Sequence, residues 1–380
     1  MALFGLQHGV HGVHGVHGVH GVHGVHGVHG VHGVHGASSS PTDALAYGSV
    51  GAIQAMAEAI VHDADTGPVA PGAIVPLAAN SAKNMIRWAP VIRERLLTGL
   101  AYQSLSWVAG KDGQTASLSF GKAKLVALHR PGVEVLANQA RHVRGYWNQR
   151  ADRAAEILAQ TGELASFYSA ILGLTAGRNP YIAALILMVQ ELSGQMTVLP
   201  KHMLACRRPD EIDGRIIPMV PTPGHGSFPS GHSTQAFAIA TVLKALLAAA
   251  QGQDATPFPD PDKRMALLEM VAHRIAVNRT VAGLHFPMDS WAGALLGTQI
   301  GKLIVGLCQG GVTLHPGACN LAADDNPDFL LRDYRSIDFT GATAPGPALN
   351  FLSFGKTGAA VDSIEPFEWL WGRCLTELQS

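Results

Sequence analysis

Residues 229–250 read PSGHSTQAFAIATVLKALLAAA. A proline, a small hydroxyl residue and a glycine head an Ala- and Leu-rich run that holds no further proline or glycine, the pattern of a helix start. Unpaired amide N–H groups and about half a positive charge from the helix dipole gather at such a start, so it is also a natural place for an anion. Gly231 lets a ligand approach the backbone without a side chain in the way. His232 then stands at the mouth of the site, able to exchange a proton near neutral pH. A serine N-cap followed by an incidental histidine is the plainer account of the same residues.

Working outward, apolar residues at helical spacing recur through 85–109, 133–158, 164–172, 182–205, 263–278 and 290–307. Only 114–128, with TASLSF and KLVAL, carries strand character. The expected fold class is therefore all-α, a helical bundle. Upstream, residues 8–36 repeat His-Gly-Val and place ten of the nineteen histidines at every third position. Glycine at that spacing without proline does not suit a collagen helix. The expectation is a disordered tail, with weak metal sequestration by the imidazoles as the functional alternative. The chain thus divides into a low-complexity repeat and linker (1–42), a helical catalytic domain (43–310) and a loop-rich C-terminal extension (311–380). Phe367, Trp369 and Trp371 of the extension are expected to tuck against the bundle.

Hydrophobic residues form 47% of the sequence and charged residues 14%, which suits a globule with a large core. Lys plus Arg (27) balance Asp plus Glu (28), so a bulk electrostatic nucleic-acid binder is excluded and any important positive charge must be local. The N-terminal residues lack the basic and apolar regions of a secretion signal. The longest apolar runs, 236–250 and 291–307, contain Lys244 and Lys302 and read as buried helices. A soluble chain without a transmembrane segment or membrane partner is expected, with the cytoplasm favoured. Cys206, Cys308, Cys319 and Cys374 show no metal-type spacing and are expected reduced, with a Cys308–Cys319 bridge left open.

Two further clusters carry charge. In Lys201-His-Met-Leu-Ala-Cys-Arg-Arg208-Pro209, a helix continuing to about residue 207 would put Lys201 and Arg208 two turns apart on one face. Alone, such a pair is most simply a solvated stripe. In Arg279-Thr-Val-Ala-Gly-Leu-His285-Phe-Pro-Met-Asp289, Pro287 suits a first helical turn, so His285 stands at the entrance with Asp289 one turn in. A carboxylate so placed can hold Nδ1–H of the imidazole and raise the basicity of Nε2. Arg279 adds a permanent charge. Three cations, an anion-binding helix start, one acid–base histidine and one oriented histidine make a toolkit for a tetrahedral oxoanion.

The order and spacing of these residues resemble the signature of the type 2 phosphatidic acid phosphatase and vanadium haloperoxidase superfamily: K-x6-RP, then PSGH, then SR-x5-H-x3-D. Asn278 is the one departure, standing where many members have serine. The resemblance implies a helical bundle and two chemistries. In the haloperoxidase branch His285 would be the ligand of a bound vanadate cofactor, with hydrogen peroxide and halide as substrates. In the phosphatase branch His285 would attack a phosphate ester and His232 would protonate the leaving alcohol. In both, Lys201, Arg208, Arg279 and the amides near Ser230 and Gly231 would hold the oxygens. His225, seven residues before His232, looks like the second histidine of the algal bromoperoxidases and favours the haloperoxidase branch, although a histidine in a Pro/Gly-rich loop needs no function. A soluble acid phosphatase is the alternative, and a non-catalytic oxoanion- or metal-binding protein the third reading. Homo-oligomers are compatible with exposed bundle faces.

Overall fold

The computed structural model describes residue 72 and residues 74–379, apart from 163, 176, 253–257 and 323–324. The expected repeat and linker, 1–42, lie outside the described residues. Leu77–Ser380 form one compact unit. Its elements are α1 (Pro90–Tyr102), the strands β1 (Leu105–Ala109), β2 (Thr115–Phe120) and β3 (Ala123–His129), then α2 (Val133–Gly145), α3 (Arg150–Ala159), α4 (Ala165–Leu172) and α5 (Pro180–Gln195). Two short helices follow, α6 (Val198–Leu204) and α7 (Pro209–Ile212), and then three long ones, α8 (Gly231–Gly252), α9 (Pro261–Val281) and α10 (Pro287–Gln309). The chain closes with β4 (Val312–Leu314), β5 (Gly317–Cys319), α11 (Leu331–Arg335), β6 (Leu352–Phe354), β7 (Ala359–Val361) and α12 (Glu365–Gln379).

The protein is mostly helical, but the all-α expectation needs correction. A five-stranded sheet in the order β1-β2-β3-β5-β6 lies beside the bundle, and β4 pairs separately with β7. Within the larger sheet the β3–β5 pair is parallel and the others antiparallel. Two of its features hid from the sequence. β1 was absorbed into an expected helix over 85–109, yet Leu105 and Trp107 point inward and their neighbours outward, the period of two that a strand requires. β5 and β6 are three residues each, too short to show any period, and exist because β3 offers them a partner edge. The stretch 114–128, which carries strand character in the sequence, forms the antiparallel pair β2 and β3. Helices also break where continuity was expected: 133–158 divides at the turn Tyr146–Gln149, and 182–205 divides between α5 and α6.

What positions the site is the packing of α8 on α10. Gly293, Gly297 and Gly301 lie four residues apart on one face of α10. A Cβ at these positions would sit 2.6 Å from the Ser230 carbonyl oxygen, 2.2 Å from that of Thr234 and 2.9 Å from that of Ala238. The partners advance in step with the glycines, so the two helices run parallel, backbone against backbone, with both N-termini at one end. Almost every residue of α10 is buried, from Pro287 to Cys308 with Lys302 as the exception. α5, α9 and α12 close around this pair: Phe367 and Trp371 are buried, and Trp369 meets the Tyr181 ring edge-on at 5.6 Å. All four cysteines are free and buried, so the Cys308–Cys319 bridge left open from sequence is not formed.

The expectation of a soluble chain without a membrane-capable segment is corrected. Three helical runs, Pro180–Ile212, Gly231–Gly252 and Pro287–Gln309, are long and apolar enough to cross a membrane by length and composition. The lysines taken as disqualifying do not weigh as expected. Lys244 is paired with Glu269 at 2.7 Å, and the Lys302 ammonium lies over the Phe339 ring at 4.8 Å. The cytoplasmic assignment and the exclusion of a membrane partner are withdrawn with it.

Candidate functional site

The shared end of α8 and α10 gathers the residues singled out from sequence. α10 opens at Pro287, and Asp289 in its first turn takes two donors on one carboxylate oxygen: the Phe286 amide at 3.0 Å and His285 Nδ1 at 3.0 Å. The first is a helix-capping bond, the second fixes the imidazole. A carboxylate only accepts, so Nδ1 carries the proton and Nε2 presents its lone pair. Arg208 Nη1 donates to that lone pair at 3.0 Å. The ring is buried, and burial first, then Arg208, Lys201, His232 and Arg279, hold its proton affinity well below the ordinary histidine value. A neutral imidazole with Nε2 as its reactive atom is the resting state of His285.

Lys201 and Arg208 reach the site by another route than expected. The helix carrying Lys201 ends at Leu204, where Ala205 adopts a left-handed conformation (φ 45°), and Arg208 is extended ahead of Pro209. The two cations do not share a helix face; a reversal of the chain brings both inward. Lys201 Nζ donates to the carbonyls of Gly226 and Ser227, each at 3.0 Å, and so ties down the loop that leads to α8. Burial, with Arg208 nearby, pushes the pKa of Lys201 down to about 7; its charged form has three donors, which leaves one for a ligand. Arg208 donates to the carbonyls of His225 (3.0 Å) and Leu284 (2.9 Å) and to His225 Nδ1 (3.1 Å), besides His285. All of these partners are neutral, so neither cation has its charge cancelled by contact.

His225 is exposed, and the bond from Arg208 to its Nδ1 places it on the outer side of that guanidinium. Its Nδ1 also lies 3.1 Å from the Gly226 carbonyl, but a guanidinium can only donate, so the bond with Arg208 requires Nδ1 to be the acceptor. Partial desolvation by the surrounding loop, more than the nearby cations, lowers its proton affinity. Ser230 departs from its expected use. Its amide donates to the Asp289 carbonyl at 2.9 Å, which joins the two helix starts, and its Oγ accepts weakly from the Ser233 amide at 3.4 Å. The first amides of α8, from Gly231 onward, have no intrahelical partner by position. A Cβ at Gly231 would meet the Thr197 hydroxyl at 3.6 Å.

Arg279, near the end of α9, is 1% exposed. Its Nη2 donates to the Ile157 carbonyl (3.2 Å) and to Gln160 Oε1 (2.7 Å), while Nε and Nη1 have no partner among the described residues. Burial lowers its proton affinity to about 10, which still leaves it charged at neutral pH. Buried donors without acceptors cost roughly 1–3 kcal/mol each, more when charged, and an arrangement that retains them is suited to an anionic ligand. This is the test that a bound oxoanion such as vanadate or phosphate must pass, and the residues fit it. Sequence reasoning missed Gln160. Its carbonyl accepts from His232 Nε2 at 2.9 Å, and its side chain meets both Arg279 and Asn278. It lies forty-one residues upstream of Lys201, the first motif residue, and nothing in a lone glutamine before Thr161 and Gly162 signals a role.

A model of the PAP2 superfamily matches residues 180–310, the segment that contains every site residue foreseen from sequence. The chain is 36% identical over 94 residues to the vanadium-dependent bromoperoxidase of Ascophyllum nodosum, covering 21% of this chain and 17% of that protein. The chain therefore spans less than a fifth of the length of that relative. It is also similar to the crystal structure of a transmembrane PAP2-type phosphatidylglycerolphosphate phosphatase from Bacillus subtilis, with a TM-score of 0.34 and 21% identity, over 44% of this chain and 83% of that one.

Proposed function

We propose, taking residues 180–310 as a PAP2-superfamily segment, that this chain hydrolyses phosphate monoesters through a phosphohistidine on His285. The observation that carries the reading is a buried, neutral imidazole, held by Asp289 at 3.0 Å, with Arg208 donating to its free nitrogen and the charges of Lys201 and Arg279 close enough to act on it. The matched superfamily comprises phosphatases and haloperoxidases, and both need an oxoanion at this place.

In the proposed reaction the ester phosphate enters against Arg279 Nε and Nη1, the spare Lys201 donor, Arg208 and the first amides of α8. Arg208 transfers its Nη1 donor from His285 Nε2 to a phosphate oxygen, which frees the lone pair. Nε2 then forms a bond to phosphorus as the P–O bond to the alcohol breaks, and Asp289 stabilises the imidazolium character that develops on the ring. Burial, with Arg279 nearby, pushes the pKa of His232 down to about 3 and keeps the ring neutral, so the ester enters as its monoanion and passes its proton to His232 Nδ1, which delivers it to the departing alkoxide. Water next attacks phosphorus, His232 takes its proton, the P–N bond breaks and inorganic phosphate leaves.

A second reading keeps the same residues. The likeness to a bromoperoxidase and the contact of His225 with Arg208 favour a site that retains vanadate, with His285 Nε2 as its metal ligand and Lys201, Arg208 and Arg279 around its oxygens. Vanadate, when bound, would supply Lewis-acid activation of hydrogen peroxide toward halide. One metal-stripped preparation distinguishes the two. Half receives an aryl phosphate; half receives vanadate, peroxide and bromide with a halogen-accepting dye. Phosphate release that vanadate inhibits, without bromination, is the expected result. Vanadate-dependent bromination without phosphate release would replace it with the second reading.

A further inference from the structure

Gln160 hydrogen-bonds to both His232 and Arg279, and it lies outside the segment that matches the superfamily. It caps the C-terminus of α3, where its amide donates to the Glu156 carbonyl at 3.0 Å, and it is 2% exposed. Its amide orientation follows from its neighbours. Arg279 only donates, so the atom 2.7 Å from Nη2 must be the oxygen. Asn278 Oδ1 accepts from Arg153 Nη1 at 3.0 Å, which turns its Nδ2 toward the same Gln160 oxygen at 3.2 Å. Asn278, the residue that departs from the superfamily signature, thus serves as a brace between Arg153 and Gln160.

We propose that Gln160 is a positioning residue for the oxoanion site, aiming Arg279 through its side chain and fixing the tautomer of His232 through its carbonyl. The proposal rests on the oxoanion reading given above. A guanidinium is planar, so holding Nη2 between Gln160 Oε1 and the Ile157 carbonyl fixes the plane of the whole group. The unpartnered Nε and Nη1, which flank Nη2 on either side, are then left for the ligand. A carboxylate at 160 would hold the arginine as well but would cancel its charge; an amide oxygen orients it and leaves the charge for the anion. Glu156, whose charge also acts on Arg279, is occupied by Arg274 on its other side. At His232 the acceptor is a carbonyl, so Nε2 must carry a proton and Nδ1 is left as the atom that takes up and gives back the exchangeable one.

The test is calorimetric titration of the full-length protein with inorganic phosphate and, separately, with vanadate. Gln160→Leu removes the acceptor at nearly equal volume; Gln160→Glu keeps the shape and adds a charge. The expected result is phosphate affinity about 10- to 100-fold weaker in Gln160→Leu, the range for losing a hydrogen bond to a charged group. In Gln160→Glu the affinity is expected to be weak at pH 8 and to recover as the pH falls and the introduced carboxyl takes a proton. A role in packing alone would lower the melting temperature without making anion affinity depend on pH in this way. Phosphate affinity in both variants within twofold of the unaltered protein, at every pH, would overturn the proposal. Should Gln160→Leu fail to melt cooperatively, the isosteric Gln160→Glu decides alone. Absence of both phosphate and vanadate binding in the unaltered protein would instead overturn the oxoanion reading, and the proposal with it.

Discussion

His285 refuses a proton in the folded protein because it is buried and faces Arg208, Lys201 and Arg279, and this has a measurable sign. The unfolded chain takes up that proton near the ordinary histidine value of about 6.5, whereas the folded site does not. The contribution of His285 to stability is therefore complete above about pH 6.5 and is lost as the pH falls below it, where the unfolded state binds the extra proton. Nitrogen NMR of the ligand-free protein should show His285 as the neutral Nδ1–H tautomer down to pH 6. A doubly protonated ring at pH 6 would contradict the assignment of Nε2 as the reactive atom. Asp289→Asn supplies a complementary test. An asparagine side chain can turn its NH2 toward Nδ1 and reverse the tautomer while keeping the shape, so turnover should drop at least about 10- to 100-fold with little change in melting temperature. Unchanged turnover would mean that the carboxylate serves only to cap α10. The Asp289 carboxylate was visible in the sequence because the four-residue spacing to His285 is local. The bond from Arg208 to His285 was not visible, since it joins residues 77 apart in the chain.

α8 and α10 meet through glycines, and this sets how closely their N-termini converge at the candidate site. Adding a methyl at Gly297 would place it 2.2 Å from the Thr234 carbonyl oxygen, a backbone atom that cannot swing aside. Alanine gains roughly 1 kcal/mol in helix propensity over glycine, but overpacking costs typically 1–3 kcal/mol or more, and a contact of this depth belongs at the upper end. Gly297→Ala should therefore lower the melting temperature, and it should weaken phosphate binding by moving the start of α10 away from that of α8. Gly99→Ala in α1 is the control, because a methyl there meets nothing within 4 Å and should stabilise by about 0.5–1 kcal/mol. Equal melting temperatures for the two variants would refute the close-packing account. The helical character of both long segments was legible from composition; that they run parallel and in contact was not, because glycine inside a helix pattern signals only a weak former until its neighbour is known.

The C-terminal helix is anchored to α5. Glu377 of α12 accepts from the Tyr181 and Ile182 amides at 2.8 and 2.9 Å and so caps the start of α5, the first helix of the superfamily segment. Phe367, Leu370, Trp371, Cys374 and Leu378 of the same helix are buried. At about 1.5–3 kcal/mol for each large apolar side chain buried, their removal approaches the whole stability of an ordinary domain, roughly 5–15 kcal/mol. Truncation after residue 361 should therefore abolish cooperative melting and phosphate binding together. A truncated chain that still binds phosphate would show that α12 only covers the bundle. The three membrane-capable runs belong to this scale as well, since length and apolar composition are shared by a buried core helix and a span.

The sequence by itself determined the long helices, the helix starts at Pro229–Gly231 and Pro287, and the identity of the cations and histidines, because each rests on contacts within a few residues. Tertiary structure alone decided the sheet, the reversal at Ala205 that carries Arg208 inward, the parallel seating of α8 on α10, and the place of Gln160 between His232 and Arg279. Those features join segments far apart in the chain. A three-residue strand, a lone alanine or a single glutamine holds no pattern of its own until the partner that gives it meaning has folded against it.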